Sequence, residues 1–215
     1  MDFDLGLYMV TDSGLARGRR LLDIVDKAVA GGVTLIQLRE KECPTRAFVA
    51  LGRALKKHLT GKQVPLIIND RLDVALACEA DGIHLGQQDM PYAIARHILG
   101  PQKIIGLSVE NQDDVDRSNQ LDVDYIGVSP VFDTPTKTDT GQSFGLDGLT
   151  LAVKRSVHRS VAIGGIHLSN IAQVMRSGTE GVAVVSAIMS ASDPALAARE
   201  LKAMVNRSRK NRAFS

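Results

Sequence analysis

Eight short runs of aliphatic and β-branched residues recur along the 215-residue chain, each followed by a stretch whose apolar positions fall three and four apart. Few folds accommodate that rhythm from end to end. A run of four to six apolar residues reads as a strand buried on both faces, and an amphipathic stretch after it reads as the helix that covers it, so the repeat is a βα unit of a parallel sheet. The runs lie at Leu5 to Val10, Thr34 to Leu38, Pro65 to Ile68, Gly82 to Leu85, Lys103 to Leu107, Asp124 to Val128, Val161 to Ile163 and Gly181 to Val185. An open doubly wound sheet has the same alternation, but eight units without a point of reversal favour closure. The expected architecture is α/β, a (β/α)8 TIM barrel, forming a single domain over residues 1–215, a length that leaves little for anything else.

Helices are predicted over Leu21 to Ala30 and Phe48 to His58, with Gly31-Gly32, Gly61, Gly100 and Gly178 as helix stops. Asp193-Pro194 reads as the N-cap and first residue of a last helix running toward Val205. The basic end of the chain, about 206–215 with Arg207, Arg209, Lys210 and Arg212, reads as a frayed, solvated helix end rather than a nucleic-acid patch.

Composition narrows the partners. Lys and Arg total 26 against 24 Asp and Glu, a net charge of +2 that gives no general reason to bind nucleic acid or membrane. The two cysteines, Cys43 and Cys78, lack metal-type spacing, and acids rather than bases stand at Met1-Asp2-Phe3-Asp4, so a cytoplasmic protein with reduced thiols is expected. Self-association into a homo-oligomer is left open.

In a TIM barrel the site lies where strands end, so polar clusters directly after apolar runs are the informative ones. After the second run stand Gln37, Leu38, Arg39, Glu40 and Lys41, and alternation puts Gln37, Arg39 and Lys41 on one side with Glu40 on the other. That face suits an anionic heterocycle, or else it is an inward layer capped by an ion pair to Glu40. Asn69 and Asp70 follow the third run and Asp89 the fourth. Each Asp alone has the look of a cap or turn residue, whereas together they form a two-carboxylate set sufficient for a magnesium ion that takes its other ligands from substrate phosphates. Ser108 and the loop Thr134-Pro135-Thr136-Lys137 offer hydroxyls, N–H groups and a cation to phosphate, and Gly165 of the Gly164-Gly165 pair joins Val185 and Ser186 as a phosphate cradle after the last two strands. A polar exposed loop and a plain turn are the competing readings. His84, inside an apolar run, reads as a satisfied core histidine, and no nucleophile, base and orienting acid of the hydrolase type is present.

Gln37 to Lys41, Asn69-Asp70, Gly82 to Gly86 with Asp89, Gly106 to Ser108, Thr134 to Lys137 and Gly164-Gly165, in that order along nearly the whole chain, resemble the thiamine phosphate synthase family. The resemblance implies coupling of 4-amino-2-methyl-5-hydroxymethylpyrimidine diphosphate to 4-methyl-5-(2-phosphoethyl)thiazole, with Mg2+ as cofactor and small molecules as the only required partners. It further implies Asp70 and Asp89 as metal ligands and Gln37 and Asn69 at the pyrimidine. Arg39, Lys41, Ser108 and Lys137 would act catalytically on the diphosphate. Thr134, Thr136, Gly165, Val185 and Ser186 would hold the thiazole phosphate, while Leu38, Glu40 and Pro135 fall within the matched motifs as further substrate contacts. Val109 and Pro135 depart from the family's pattern. A thiazole tautomerase and a non-catalytic phosphate-sensing barrel are the rival readings.

Overall fold

A computed structural model describes residues 2–133 and 142–213. The strands are β1 (Leu7–Val10), β2 (Leu35–Leu38), β3 (Leu66–Asn69), β4 (Gly82–Leu85), β5 (Ile104–Val109), β6 (Tyr125–Val128), β7 (Ser160–Ile163) and β8 (Gly181–Val184). All pair in parallel with their sequence neighbours, and β8 returns to β1, which closes the barrel. Between them run α1 (Leu21–Ala30), α2 (Thr45–Leu59), α3 (Leu72–Ala77), α4 (Tyr92–Leu99), α5 (Gln112–Ser118), α6 (Gly145–Arg155), α7 (Ile171–Arg176) and, after β8, the short α8 (Ser186–Met189) and long α9 (Pro194–Ala213).

The two-residue period of a strand sorts the side chains into two cores. Leu7 and Met9, Ile36 and Leu38, Leu66 and Ile68, and Ile126 and Val128 face outward and meet the helices in one buried layer. Tyr8 and Val10, Leu35, Ile67, Ile104, Tyr125, Val161 and Ala183 face inward and fill the barrel. The inner residues toward the N-terminal ends of the strands are mostly aliphatic, joined by the buried phenols of Tyr8 and Tyr125; toward the C-terminal ends they turn polar, with Gln37, Asn69, His84 and Ser108. The barrel is therefore closed at its floor and polar at its mouth.

The last helix corrects one expectation. It starts as read, with Asp193 Oδ1 accepting from the N–H groups of Ala195 (3.0 Å) and Leu196 (3.1 Å). It does not fray after Val205 but continues to Ala213. Arg209 pairs with Asp4 at 2.8 Å and donates to the Glu180 carbonyl, and Arg212 donates to the carbonyls of Gly178, Met175 and Thr179. Arg212 closes carbonyls at the C-terminal end of α7, and Arg209 ties the last helix to the residue before β8, which is why these two are not merely solvated.

Candidate active site

The mouth opens into a cavity of ≈ 320 Å³. Gln37, Arg39 and Lys41 line it from the β2 end, as their alternation requires; Asn69 and Asp70 line it from the β3 end, and Asp89 from the loop after β4. Ser108 lies inside β5, which extends past the expected end at Leu107 to Val109, so this hydroxyl is held by a strand rather than a loop. Gly165, Val185 and Ser186 line the opposite wall.

Two residues of the matched motifs stand apart. Leu38 is fully buried in the outer layer against the helices, because an odd step along β2 turns its side chain away from the mouth. Its side chain is therefore not a substrate contact. Glu40 bonds the Ser13 hydroxyl and does not line the cavity, so the ion-pair cap expected of it is absent from the described contacts and Arg39 is paired instead with Asp12. Thr134, Pro135, Thr136 and Lys137 lie outside the described residues.

The electrostatics of the mouth centre on Asp70 and Asp89. Asp70 sits at φ +60°, an unusual conformation for a non-glycine residue, with its N–H on the His84 carbonyl at 2.9 Å and its carboxylate on Lys41 Nζ at 3.0 Å. Asp89 Oδ2 accepts from the Gly86 N–H at 2.6 Å. Burial, together with the adjoining Asp70 carboxyl, holds the Asp89 carboxyl above its ordinary value, and the Gly86 N–H and Lys41 only partly oppose this. Two acids driven together in this way are a donor set short of positive charge. Among the described residues no cluster of three or more His, Cys, Asp or Glu is placed to enclose a metal. Two hard carboxylate donors fit a divalent cation that keeps waters and borrows phosphate oxygens, which is the habit of magnesium.

On the far wall, Gly164 (φ +106°) and Gly165 (φ +63°) turn the chain in conformations open to glycine. A Cβ at Gly164 would come within 2.8 Å of Pro130 Cα, and one at Gly165 within 2.9 Å of Phe132 Cβ. Bare backbone thus lines that wall, as close approach to a phosphate needs.

The residue reading missed the aromatic floor. Tyr8 lines the base of the cavity, with Tyr125 buried behind it, and His84, read as a satisfied core histidine, is both satisfied and part of the cavity lining. Tyr8 was findable from alternation, since it has the phase that directs Gln37 inward on the next strand.

A closed parallel barrel that gathers cations, an acid pair and a glycine wall at its C-terminal mouth defines a phosphate-handling TIM-barrel enzyme. The family model described as thiamine monophosphate synthase matches residues 7–188, and the chain belongs to that family. It is 53% identical over 202 residues to the thiamine-phosphate synthase of Albidiferax ferrireducens, covering 94% of this chain and 92% of that one. It is 51% identical to the thiamine-phosphate synthase of Vibrio campbellii, covering 91% and 95%. Among solved structures, the thiamine phosphate pyrophosphorylase from Pyrococcus furiosus superposes with a TM-score of 0.87 at 37% identity over 95% of this chain and 96% of that one.

Proposed function

We propose that this barrel joins an aminopyrimidine diphosphate to a thiazole phosphate, giving thiamine phosphate and pyrophosphate, in a magnesium-dependent reaction at the mouth. The observation that carries the metal-dependent part is the Asp70 and Asp89 pair beside Lys41 and Arg39. An acid pair of this kind has a purpose when a cation and a diphosphate complete it, and none in a tautomerase.

In this reading Gln37 and Asn69 orient the pyrimidine ring, and Asp70 and Asp89 hold Mg2+. The ion, when bound, neutralises charge on the leaving diphosphate. Arg39 and Lys41 spread the same charge over two further cations, and the Ser108 hydroxyl donates to a phosphate oxygen. Lys137 and the loop around it would add to that set. The C–O bond to the electron-rich pyrimidinyl methylene breaks with both electrons leaving on the diphosphate, and the thiazole nitrogen supplies the pair that forms the new C–N bond. Gly165, Val185 and Ser186 hold the thiazole phosphate so that the nitrogen faces the methylene carbon. No protein nucleophile takes part, which agrees with the absence of a triad in the sequence. The work is positioning and charge neutralisation.

Both cysteines are free, Cys78 buried and Cys43 partly so, and among the described residues no helix is long and apolar enough to cross a membrane. The reading places the enzyme in the reducing cytoplasm with small molecules as its partners.

The test is to incubate purified protein with both substrates, with magnesium and then with excess chelator, following both products. Equal, magnesium-dependent release of thiamine phosphate and pyrophosphate is expected. Binding of both substrates with neither product formed would overturn the synthase reading and favour a sensor or tautomerase.

A further inference from the structure

A chain of five polar side chains crosses the barrel beneath the mouth. Gln37 Nε2 donates to Tyr8 Oη at 2.7 Å, Tyr8 Oη meets Tyr125 Oη at 2.8 Å, Tyr125 Oη meets His84 Nδ1 at 3.0 Å, and His84 Nε2 meets Ser108 Oγ at 2.9 Å. The first four residues are buried, and Ser108 opens to the cavity.

The barrel is shaped to hold this chain. His84, Gly106 and Tyr125 are register partners across β4, β5 and β6, so the imidazole and the phenol stack over the bare middle residue, with centroids 5.5 Å apart. A Cβ at Gly106 would lie 2.1 Å from the Tyr125 ring, and one at Gly127 would press on the imidazole at 3.2 Å.

Hydrogen-bond inventory gives the chain a direction. Tyr8 accepts from the Gln37 amide, so its single hydrogen goes on to Tyr125. Tyr125 then has its own hydrogen for Nδ1, and a neutral imidazole that accepts at Nδ1 carries its proton at Nε2. That proton goes to Ser108, whose hydroxyl hydrogen is left for the cavity. Burial raises both phenols above their ordinary range, so both keep their protons.

We propose that Gln37, Tyr8, Tyr125, His84 and Ser108 form a one-way hydrogen-bond chain in which Tyr8, Tyr125 and His84 are positioning residues that set the polarity of both ends of the site. At one end the chain fixes the Gln37 carbonyl oxygen as an acceptor, matched to the exocyclic amine of an aminopyrimidine. At the other it fixes Ser108 as a donor, matched to a phosphate oxygen. The opposite direction would present an amide N–H to the amine and a lone pair to the phosphate, and so would reject both groups of the same ligand. This matching rests on the substrate reading above; the direction of the chain rests on the Gln37 amide donating to Tyr8.

The test is the tautomer of His84. Long-range 15N–1H spectra of protein labelled at its five histidines, with His84 assigned by its loss in His84→Gln, are expected to show neutral Nε2–H with bare Nδ1 before and after ligand is added. Tyr125→Phe removes the donor to Nδ1. It should mix the tautomers and raise KM for the pyrimidine diphosphate roughly tenfold, the effect of one lost buried hydrogen bond. Thiazole phosphate affinity should change by less than about twofold, since among the described residues no hydrogen bond joins Gly165, Val185 or Ser186 to Tyr125. His84→Gln keeps an amide N–H near Ser108 and should retain more pyrimidine affinity than His84→Leu. Nδ1–H in the wild type, or a Tyr125→Phe protein with unchanged tautomer and KM, would overturn the chain. Should Tyr125→Phe not fold, the wild-type spectrum decides by itself. Coupling with the wrong tautomer defeats the chain and leaves the synthase reading standing; the expected tautomer without coupling does the reverse.

Discussion

Asp70 and Asp89 show how far a single residue can be read. Either alone reads as a turn residue, and it is their contact at the mouth that supports the proposed cation site. Asp70→Ala should abolish coupling, by at least about a hundredfold if a whole metal ligand is lost, while thiazole phosphate binding, measured by calorimetry, stays nearly intact. Full activity in that variant would remove the metal assignment. Asp89→Asn probes the same pair through pH. Because the folded carboxyl sits above its unfolded value, the folded state holds its proton longer, and stability falls as pH rises from the ordinary carboxylate range through the raised folded value. Without magnesium, Asp89→Asn should therefore melt higher than wild type at neutral pH, with the difference shrinking as pH falls below the unfolded value. Saturating magnesium should stabilise wild type and not the variant. A lower melting point for the variant in chelator would show that the two carboxyls do not strain the fold.

Strands and loops act as units at the next scale. β2 delivers Gln37 to the mouth and Leu38 to the helix layer by the same period of two, and β5 carries Gly106 beneath Tyr125 and then Ser108 into the cavity. The loop after β7 depends on two consecutive glycines in positive φ. Gly165→Ala would add backbone strain at φ +63° and crowd Phe132 at 2.9 Å. It should cost about 1 kcal/mol of stability or more and raise KM for the thiazole phosphate while leaving that for the pyrimidine diphosphate nearly unchanged. Steady-state kinetics with each substrate varied in turn would show it, and an equal rise in both would place Gly165 outside the thiazole wall. Much at this scale was legible: strand order, the inward phase of Gln37, Arg39 and Lys41, and the glycine turns follow from local pattern and backbone sterics. The reach of Ser108 into β5 was not, because a strand end is set by its partner, and Ser108 is held in the ladder by Gly127 of β6.

The whole molecule is closed by contacts far apart in sequence. Burial works against the charged Asp4 carboxylate, but Lys202, Arg209 and the Gly6 N–H outweigh it and hold Asp4 at about 2. The stability this gives is present above the unfolded carboxylate value and is lost as pH falls through about 2. Asp4→Asn should cost about 1 kcal/mol after solvent screening of these half-exposed groups, a melting point lower by roughly 2–4 °C at neutral pH. The gap should vanish near pH 2, and a difference that persists there would assign the loss to packing. The sequence by itself determined the βα repeat, the two faces of each strand and the residue types presented at each strand end, because these are set by local periodicity and chemistry. Only the tertiary structure decided that β8 meets β1, that Arg209 and Arg212 anchor the last helix, that Asp70 and Asp89 adjoin, and that Tyr8, Tyr125 and His84 join across the barrel floor. Each of these is a meeting of residues remote along the chain, and such meetings depend on barrel curvature and strand register, which no local window of sequence contains.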